Sequence, residues 1–336
     1  MITKTIVLNP LQQMNPRPCI ARIQSGLLNT ERCSEIKLED WCRKEFRVAK
    51  EAAVPVIASV GITPEEVRVI APAAEEAGAD MLELSVFIPY DDPKPLLDAI
   101  RAAKEWSSLP ISVKLNANVA DVAELALAAK EEGADAFSAI DGLNAGMAVD
   151  IEAGRPVLGE QGYGRISGAA IKPLALRCVA EVAHHTGLPV IGTGGVSGGA
   201  DAVEMLMAGA TAVGVCTASL LQGPDVFKKI TREISEFLAR KGYSSVTEVI
   251  GVALAHISFP ETERVRREYE LGPVKASSAL AEVIAERCIG CQLCFKTCPY
   301  DSVAMRRGVA KILRSTCVGC GLCISLCPTQ AIELRE

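Results

Sequence analysis

The feature that most constrains this chain is a low-resolution repeat between residues 50 and 220. Three segments place a hydrophobic residue and a proline before an apolar run: VPVIASVG from Val54, LPISVKLN from Leu109 and LPVIGTGG from Leu188. Three others use Gly-Ala: GADMLELS from Gly78, GADAFSAI from Gly133 and GATAVGVC from Gly209. The two kinds alternate, with segments of helical period between them. In TPEEVRVIAPAAEEAG, Thr63 can cap, Pro64 suits the first turn, Glu66 completes a capping box and Gly78 ends the helix. Short apolar runs alternating with amphipathic helices predict parallel strands buried on both faces. At this length a TIM-type (β/α)8 barrel is favoured over a doubly wound open sheet.

The six runs and MITKTIVL at the start make seven strands, where a closed barrel has eight. By the alternation the Met1 strand is of the Gly-Ala kind, so its partner is expected upstream. The barrel is therefore read as lacking its first strand. A start codon upstream of Met1 is preferred over a strand donated by a neighbouring chain or an incomplete barrel.

The length of 336 residues, with 49 % apolar and 23 % charged residues, suits one large domain and a small one. The expected division is a barrel over 1–250, a linker over 251–279 with the solvated helix ETERVRREYE, and a small domain over 280–336. A net charge of −6, with no basic run, argues against nucleic-acid or anionic-membrane partners. No apolar run reaches the roughly 18 residues of a membrane span and no signal-peptide core is present, so the expected location is the cytoplasm.

Eight of the 13 cysteines fall at regular spacing from Cys288 onward. CIGCQLCFKTCP and CVGCGLCISLCP each follow C-x2-C-x2-C-x3-C-P, the run of two-cluster ferredoxins, whose fourth cysteine serves the other cluster. This predicts one [4Fe–4S] cluster on Cys288, Cys291, Cys294 and Cys327, and a second on Cys317, Cys320, Cys323 and Cys298. Paired zinc sites do not match two sets of three plus one. The scattered Cys19, Cys33, Cys42, Cys178 and Cys216 read as buried small hydrophobes.

Ligands of such barrels sit at the C-terminal strand ends, with phosphate held by the last two loops. GTGGVSGG from Gly192 and GVCTASL from Gly214 supply those turns, and GYGRISGAAIKP puts Ser167 and Gly168 at the start of another helix. A Rossmann nicotinamide site is not supported, because the third glycine of GTGGVS falls one residue late. His184 and His185, late in a helix, read as partners of its C-terminal dipole, and His256 carries no motif.

In order, TKT, LLN, ELSV, VKLN, ISGAAIKP, IGTGGV and CTASL resemble the flavin barrel of dihydroorotate dehydrogenases. The likeness is closest to the C-terminal part of dihydropyrimidine dehydrogenase and its bacterial subunit, which also end in a two-cluster ferredoxin domain. The resemblance implies a barrel holding FMN. Lys4, Ser85 and Lys114 would contact the flavin; Ser167, Gly168, Gly194, Gly195, Cys216 and Thr217 would surround its phosphate; Asn29 would bind substrate. The family also uses its first strand for FMN, and that strand is missing here.

Where the family reads ELN-x-S-C-P-N, this chain reads ELSVFIPY. Ile88 takes the catalytic cysteine position, Tyr90 an asparagine position and Ser85 that of the flavin-contacting asparagine. The later Asn-Ser or Asn-Thr pair aligns with Ile140 and Asp141, or with Asn144 if the alignment shifts. Oxidising a C–C bond exchanges a hydride at the flavin and a proton at the neighbouring carbon, so a placed acid or base is required. Tyr90 or Asp141 is the candidate, although Asp141 could instead pair with Arg165.

The expected activity is an FMN-dependent iron–sulfur oxidoreductase acting on a C–C or C=C bond of a substrate other than a pyrimidine. The alternatives are an electron-transfer subunit with no organic substrate of its own and a scaffold whose barrel has lost FMN. Expected partners are a small molecule or redox protein, an NAD- or FAD-binding subunit and further copies of the chain in an oligomer.

Overall fold

The computed structural model of the protein describes residues 1–88, 92–159, 161–259 and 278–336. Tyr90 and ETERVRREYE lie outside the described residues. The chain forms two compact units, Met1–Glu268 and Tyr269–Glu336.

All six repeat segments are strands of one parallel sheet. Its order is Ala212–Gly214, Val190–Thr193, Ala136–Ala139, Ile111–Leu115, Met81–Leu84, Ile57–Ser59. The N-terminal segment extends it as a seventh member through parallel bridges Ile2 to Ile57 and Ile6 to Val60. Four residues advance on one side of that pair against three on the other, which leaves one residue extra, as in a bulge. Among the described residues no strand pairs with the free side of Ala212–Gly214, so the sheet is a curled, unclosed barrel.

Helices cover its outer face. Pro64–Glu76 buries Val67, Ile70, Ala71 and Ala74, the spacing of one helical stripe. Its start differs in one detail from a capping box. The Thr63 side chain accepts the Glu66 N–H, but the Glu66 carboxylate accepts from Ile62 N at 2.9 Å and Leu8 N at 3.0 Å. Glu66 thereby ties the helix to the N-terminal segment rather than to its own cap.

The inner face departs from the expectation of an apolar strand interior. Ser59, Glu83, Ser112 and Ser138 are all at most 1 % exposed. Glu83 accepts from the Ser138 hydroxyl at 2.6 Å across the intervening Ile111–Leu115 strand. Strands two apart are about 9.6 Å distant, so only the concave side of a strongly curled sheet permits that bond. Alternate residues Leu82, Leu84, Val113 and Phe137 face the helices.

A second sheet is antiparallel. Its order is Ile20–Ile23, Gly26–Asn29, Gly164–Ser167, Leu143–Gly146. GYGRIS, read above as a turn, is thus largely a strand that pairs Ser167 with Leu27 and Arg165 with Asn29. Gly26 adopts φ +155° and packs so closely that a Cβ there would lie 1.9 Å from the Ser167 carbonyl oxygen.

The second unit pairs Leu280–Val283 with Ile332–Arg335 and Val303–Arg306 with Val309–Ile312, both antiparallel. Its buried core is small: Ala281, Cys294, Val303, Ala310 and Ile332, with partly buried cysteines packed against it. Among the described residues no helix is long and apolar enough to cross a membrane.

Candidate functional site

The C-terminal ends of the parallel strands gather the ionisable groups. Lys114, near the end of its strand, places Nζ 3.5 Å from Asp141 Oδ1 and 4.0 Å from Glu83 Oε1. Asp141 is anchored by its N–H, which donates to the Leu115 carbonyl at 2.8 Å. Burial pushes the Lys114 ammonium pKa down, yet the carboxylates of Asp141 and Glu83 outweigh it and hold the value above that of an ordinary lysine. Burial pushes Asp141 up, and Lys114, Arg165 and the Gly142 N–H more than offset it, so its carboxyl stays below the ordinary range. The site therefore presents a fixed ammonium–carboxylate pair.

Asp141 pairs with Lys114 rather than within 4.0 Å of Arg165. Arg165 Nε donates instead to Asn144 Oδ1 at 3.2 Å, and Asn144 N donates to Asn118 Oδ1 at 2.9 Å. Lys4 meets Glu31 at 3.4 Å. Asn29, half-buried, closes its strand opposite Arg165. Ser85 is half-buried just beyond the Met81–Leu84 strand. Ile88 is only 4 % exposed and belongs to the apolar core, and Ile140 is equally buried at 2 %. Neither can exchange a proton.

Ser167 and Thr217 come together from residues 50 apart in sequence: Thr217 Oγ1 donates to Ser167 Oγ at 2.9 Å. Gly168, with φ +87°, leaves no room for a Cβ, which would sit 2.8 Å from Gly26 Cα and 3.0 Å from Thr217 Cγ2. Two hydroxyls beside close-packed glycine backbone fit a phosphate-bearing group. Gly194 and Gly195 stand at φ +115° and +86°, where a Cβ at Gly195 would strike Lys172. The helix that follows closes on carboxylates: Asp201 accepts from Ser197 N and Gly198 N, and Glu233 from Gly199 N at 2.6 Å. Those amides already donate to carboxylates, so in GTGGVSGG only residues upstream of Ser197 keep amides that could meet a phosphate.

The isolated cysteines divide. Cys178 is buried, and desolvation raises its thiol to about 11. Cys19, Cys33 and Cys42 are half-buried, and Cys216 is exposed, which corrects their reading as buried hydrophobes. Cys216 lies at the strand ends, near enough for its charge to act on Lys114. His184 stacks on Phe259 with ring centroids 4.0 Å apart.

In the second unit the eight motif cysteines surround two cavities. One, with an empty volume of ≈ 350 Å³, is lined by Cys298, Cys317, Cys320 and Cys323. The other, of ≈ 300 Å³, is lined by Cys288, Cys291, Cys294 and Cys327. Among the described residues no three Cys, His, Asp or Glu side chains converge as for a single ion. Sulfurs ranged around a volume fit a cubane, whose irons are spread among them, better than one zinc at a point. The fourth cysteine of each run receives an equivalent amide: Ser302 N donates to Cys298 Sγ at 3.3 Å and Ala331 N to Cys327 Sγ at 3.2 Å.

Residues 1–238 match the family model described as Dihydroorotate dehydrogenase, and residues 281–334 match that of a 4Fe-4S dicluster domain. The chain is 40 % identical over 267 residues to a Methanothermobacter thermautotrophicus protein named dihydroorotate dehydrogenase B (NAD(+)), catalytic subunit, a match covering 75 % of this chain and 86 % of that one. Proteins of the same name from Pyrococcus abyssi and Geobacter sp. are 39 % and 38 % identical. Those matches cover 76 % and 75 % of this chain, and 86 % and 85 % of theirs.

Proposed function

As a member of the dihydroorotate dehydrogenase family and an FMN-dependent oxidoreductase, this chain, we propose, oxidises or reduces a carbon–carbon bond beside a carbonyl, in a substrate other than a pyrimidine. The observation that carries this reading is the ion pair of Lys114 and Asp141 at the strand ends, with Ile88 buried where the family pattern has cysteine. Lys4, Ser85, Lys114, Ser167, Gly168, Gly194, Gly195, Cys216 and Thr217 are the proposed FMN contacts, with the paired Ser167 and Thr217 hydroxyls at its phosphate. When bound, FMN supplies the two-electron hydride exchange and divides it into single electrons.

The protein's own groups handle the proton. Asp141 Oδ1, kept ionised by Lys114, accepts the proton from the carbon beside the substrate carbonyl during dehydrogenation and returns it in the reverse direction. Lys114 Nζ holds that carboxylate in place, and Glu83, fixed by Ser138, holds Lys114 from behind. Arg165 is near enough for its charge to act on Asp141, and Asn29 stands opposite Arg165 in the antiparallel sheet. In the sequence, Tyr90 and Ile140 stand where the family pattern has asparagines with which a pyrimidine ring would pair.

The two cysteine quartets are the proposed ligands of two [4Fe–4S] clusters that carry single electrons onward. The relatives' name couples a catalytic subunit to NAD(+). Because this sequence has no nicotinamide fingerprint, that chemistry is assigned to a separate NAD- or FAD-binding subunit, and the setting to the reducing cytoplasm.

The test is anaerobic. Dithionite-reduced full-chain protein is mixed with orotate, uracil, crotonate or fumarate, and flavin reoxidation is followed by absorbance. A non-pyrimidine enoate should reoxidise the flavin at least about 100-fold faster than orotate, and Asp141→Asn should slow that reaction by about 100-fold with flavin content unchanged. Fast reoxidation by orotate, or an Asp141→Asn protein of full speed, contradicts the reading.

A further inference from the structure

The second unit is electrically polarised. Residues 280–336 carry seven Lys or Arg against five Asp or Glu, a net +2 within a chain of net −6. Four of the seven, Arg306, Arg307, Lys311 and Arg314, lie on or directly after the Val303–Arg306 and Val309–Ile312 hairpin, and all four are exposed. Met305 and Ala310 line the cavity of the first cysteine quartet, while Val303 and Ile312 line that of the second. Strand alternation then turns Arg306 and Lys311 to the opposite, solvent face. Among the described residues no carboxylate approaches any of the four within 4.0 Å. The other two-stranded sheet is the reverse: Glu282 stands opposite Glu333, and Arg335 pairs with both.

The basic hairpin abuts the first quartet. A Cβ on Gly290, between Cys288 and Cys291, would lie 2.4 Å from the Gly308 carbonyl oxygen at the hairpin turn. At the equivalent place in the second motif, a Cβ on Gly319 would lie 2.3 Å from the Ala279 carbonyl oxygen, just before the Leu280–Val283 strand. One motif loop thus packs against the segment before the Leu280–Val283 strand, and the other against an exposed Arg-Arg-Gly turn.

We propose that Arg306, Arg307, Lys311 and Arg314 form the docking surface for a small acidic one-electron carrier protein, seated over the Cys288, Cys291, Cys294 and Cys327 quartet. Charge complementarity selects the partner: unpaired surface cations raise the encounter rate with a negative protein and weaken with salt. Placement beside the quartet gives docking a redox purpose, and to that extent the inference rests on the cluster-holding role proposed above.

The probe is oxidised flavodoxin, an acidic carrier, binding to immobilised full-chain holoprotein under anaerobic conditions. Wild-type affinity should fall about tenfold between about 0.03 M and 0.3 M NaCl. Arg306→Glu with Arg307→Glu should lower low-salt affinity at least about tenfold, with iron and sulfide content unchanged. Lys228→Glu with Lys241→Glu, an equal charge change on the barrel unit, should stay within about twofold. If the charge-reversed protein loses iron, Arg306→Gln with Arg307→Gln gives the same reading. Absent or salt-independent binding, an equal loss in the barrel control, or self-association of the wild type abolished by the Arg306 and Arg307 changes, would each overturn the inference. Wild-type protein without iron would instead strike the cluster assignment, since binding is read independently of it.

Discussion

Lys114 Nζ, near the end of the Ile111–Leu115 strand, stands 3.5 Å from Asp141 Oδ1, two residues past the Ala136–Ala139 strand, and each holds the other in its charged form. Because Asp141 is depressed below 3.8, its stabilising contribution is present above that value and is lost as pH falls through its folded pKa. Because Lys114 is raised above 10.5, its contribution is present below that value and is lost as pH rises through its folded pKa.

The stability difference between wild type and Lys114→Met with Asp141→Leu should therefore be level from about pH 5 to 9 and change only outside that window. Thermal melts across pH measure it. A difference that drifts steadily between pH 6 and 8 would show that neither group is held as described.

Gly26 joins the hairpin to the Gly164–Ser167 strand at a distance no side chain allows. Gly26→Ala should cost at least about 2 kcal/mol, from backbone strain and displacement of Ser167, and should weaken flavin retention as well. Gly154, at φ +63° with nothing within 4 Å of a Cβ, is the control and should cost about 1 kcal/mol on alanine substitution. Equal losses in urea titrations would place the effect in φ alone.

Cys298 is the fourth cysteine of the first motif but lines the cavity of Cys317, Cys320 and Cys323. Cys298→Ala should remove about half of the bound iron, and spectroscopy should find the surviving cluster on Cys288, Cys291, Cys294 and Cys327. Full iron content in that variant would refute the crossed ligation.

The positions of the strands were legible because alternation of Gly-Ala and X-Pro entries with helical periods is a local signal. The polar concave face was not legible, because Ser59, Glu83, Ser112 and Ser138 sit singly within otherwise apolar runs and meet only once the strands are side by side. The antiparallel sheet was not legible. Its Arg165–Asn29 pairing joins residues far apart in sequence, and GYGRIS carries a phosphate-turn composition that masks a strand. Exposure of Cys216 likewise depends on where a strand ends in three dimensions, which spacing does not encode. The proposed crossed cysteine grouping follows from the ferredoxin run, whose fourth cysteine serves the other cluster, and the lining of the two cavities agrees with it.

In the proposed function one chain couples a two-electron flavin site to two one-electron clusters. Anaerobic dithionite titration of the full-chain holoprotein, followed by absorbance, tests it most directly. About four electrons per chain are expected, two taken up with flavin bleaching and one at each cluster. Uptake of about two electrons without flavin bleaching would contradict it.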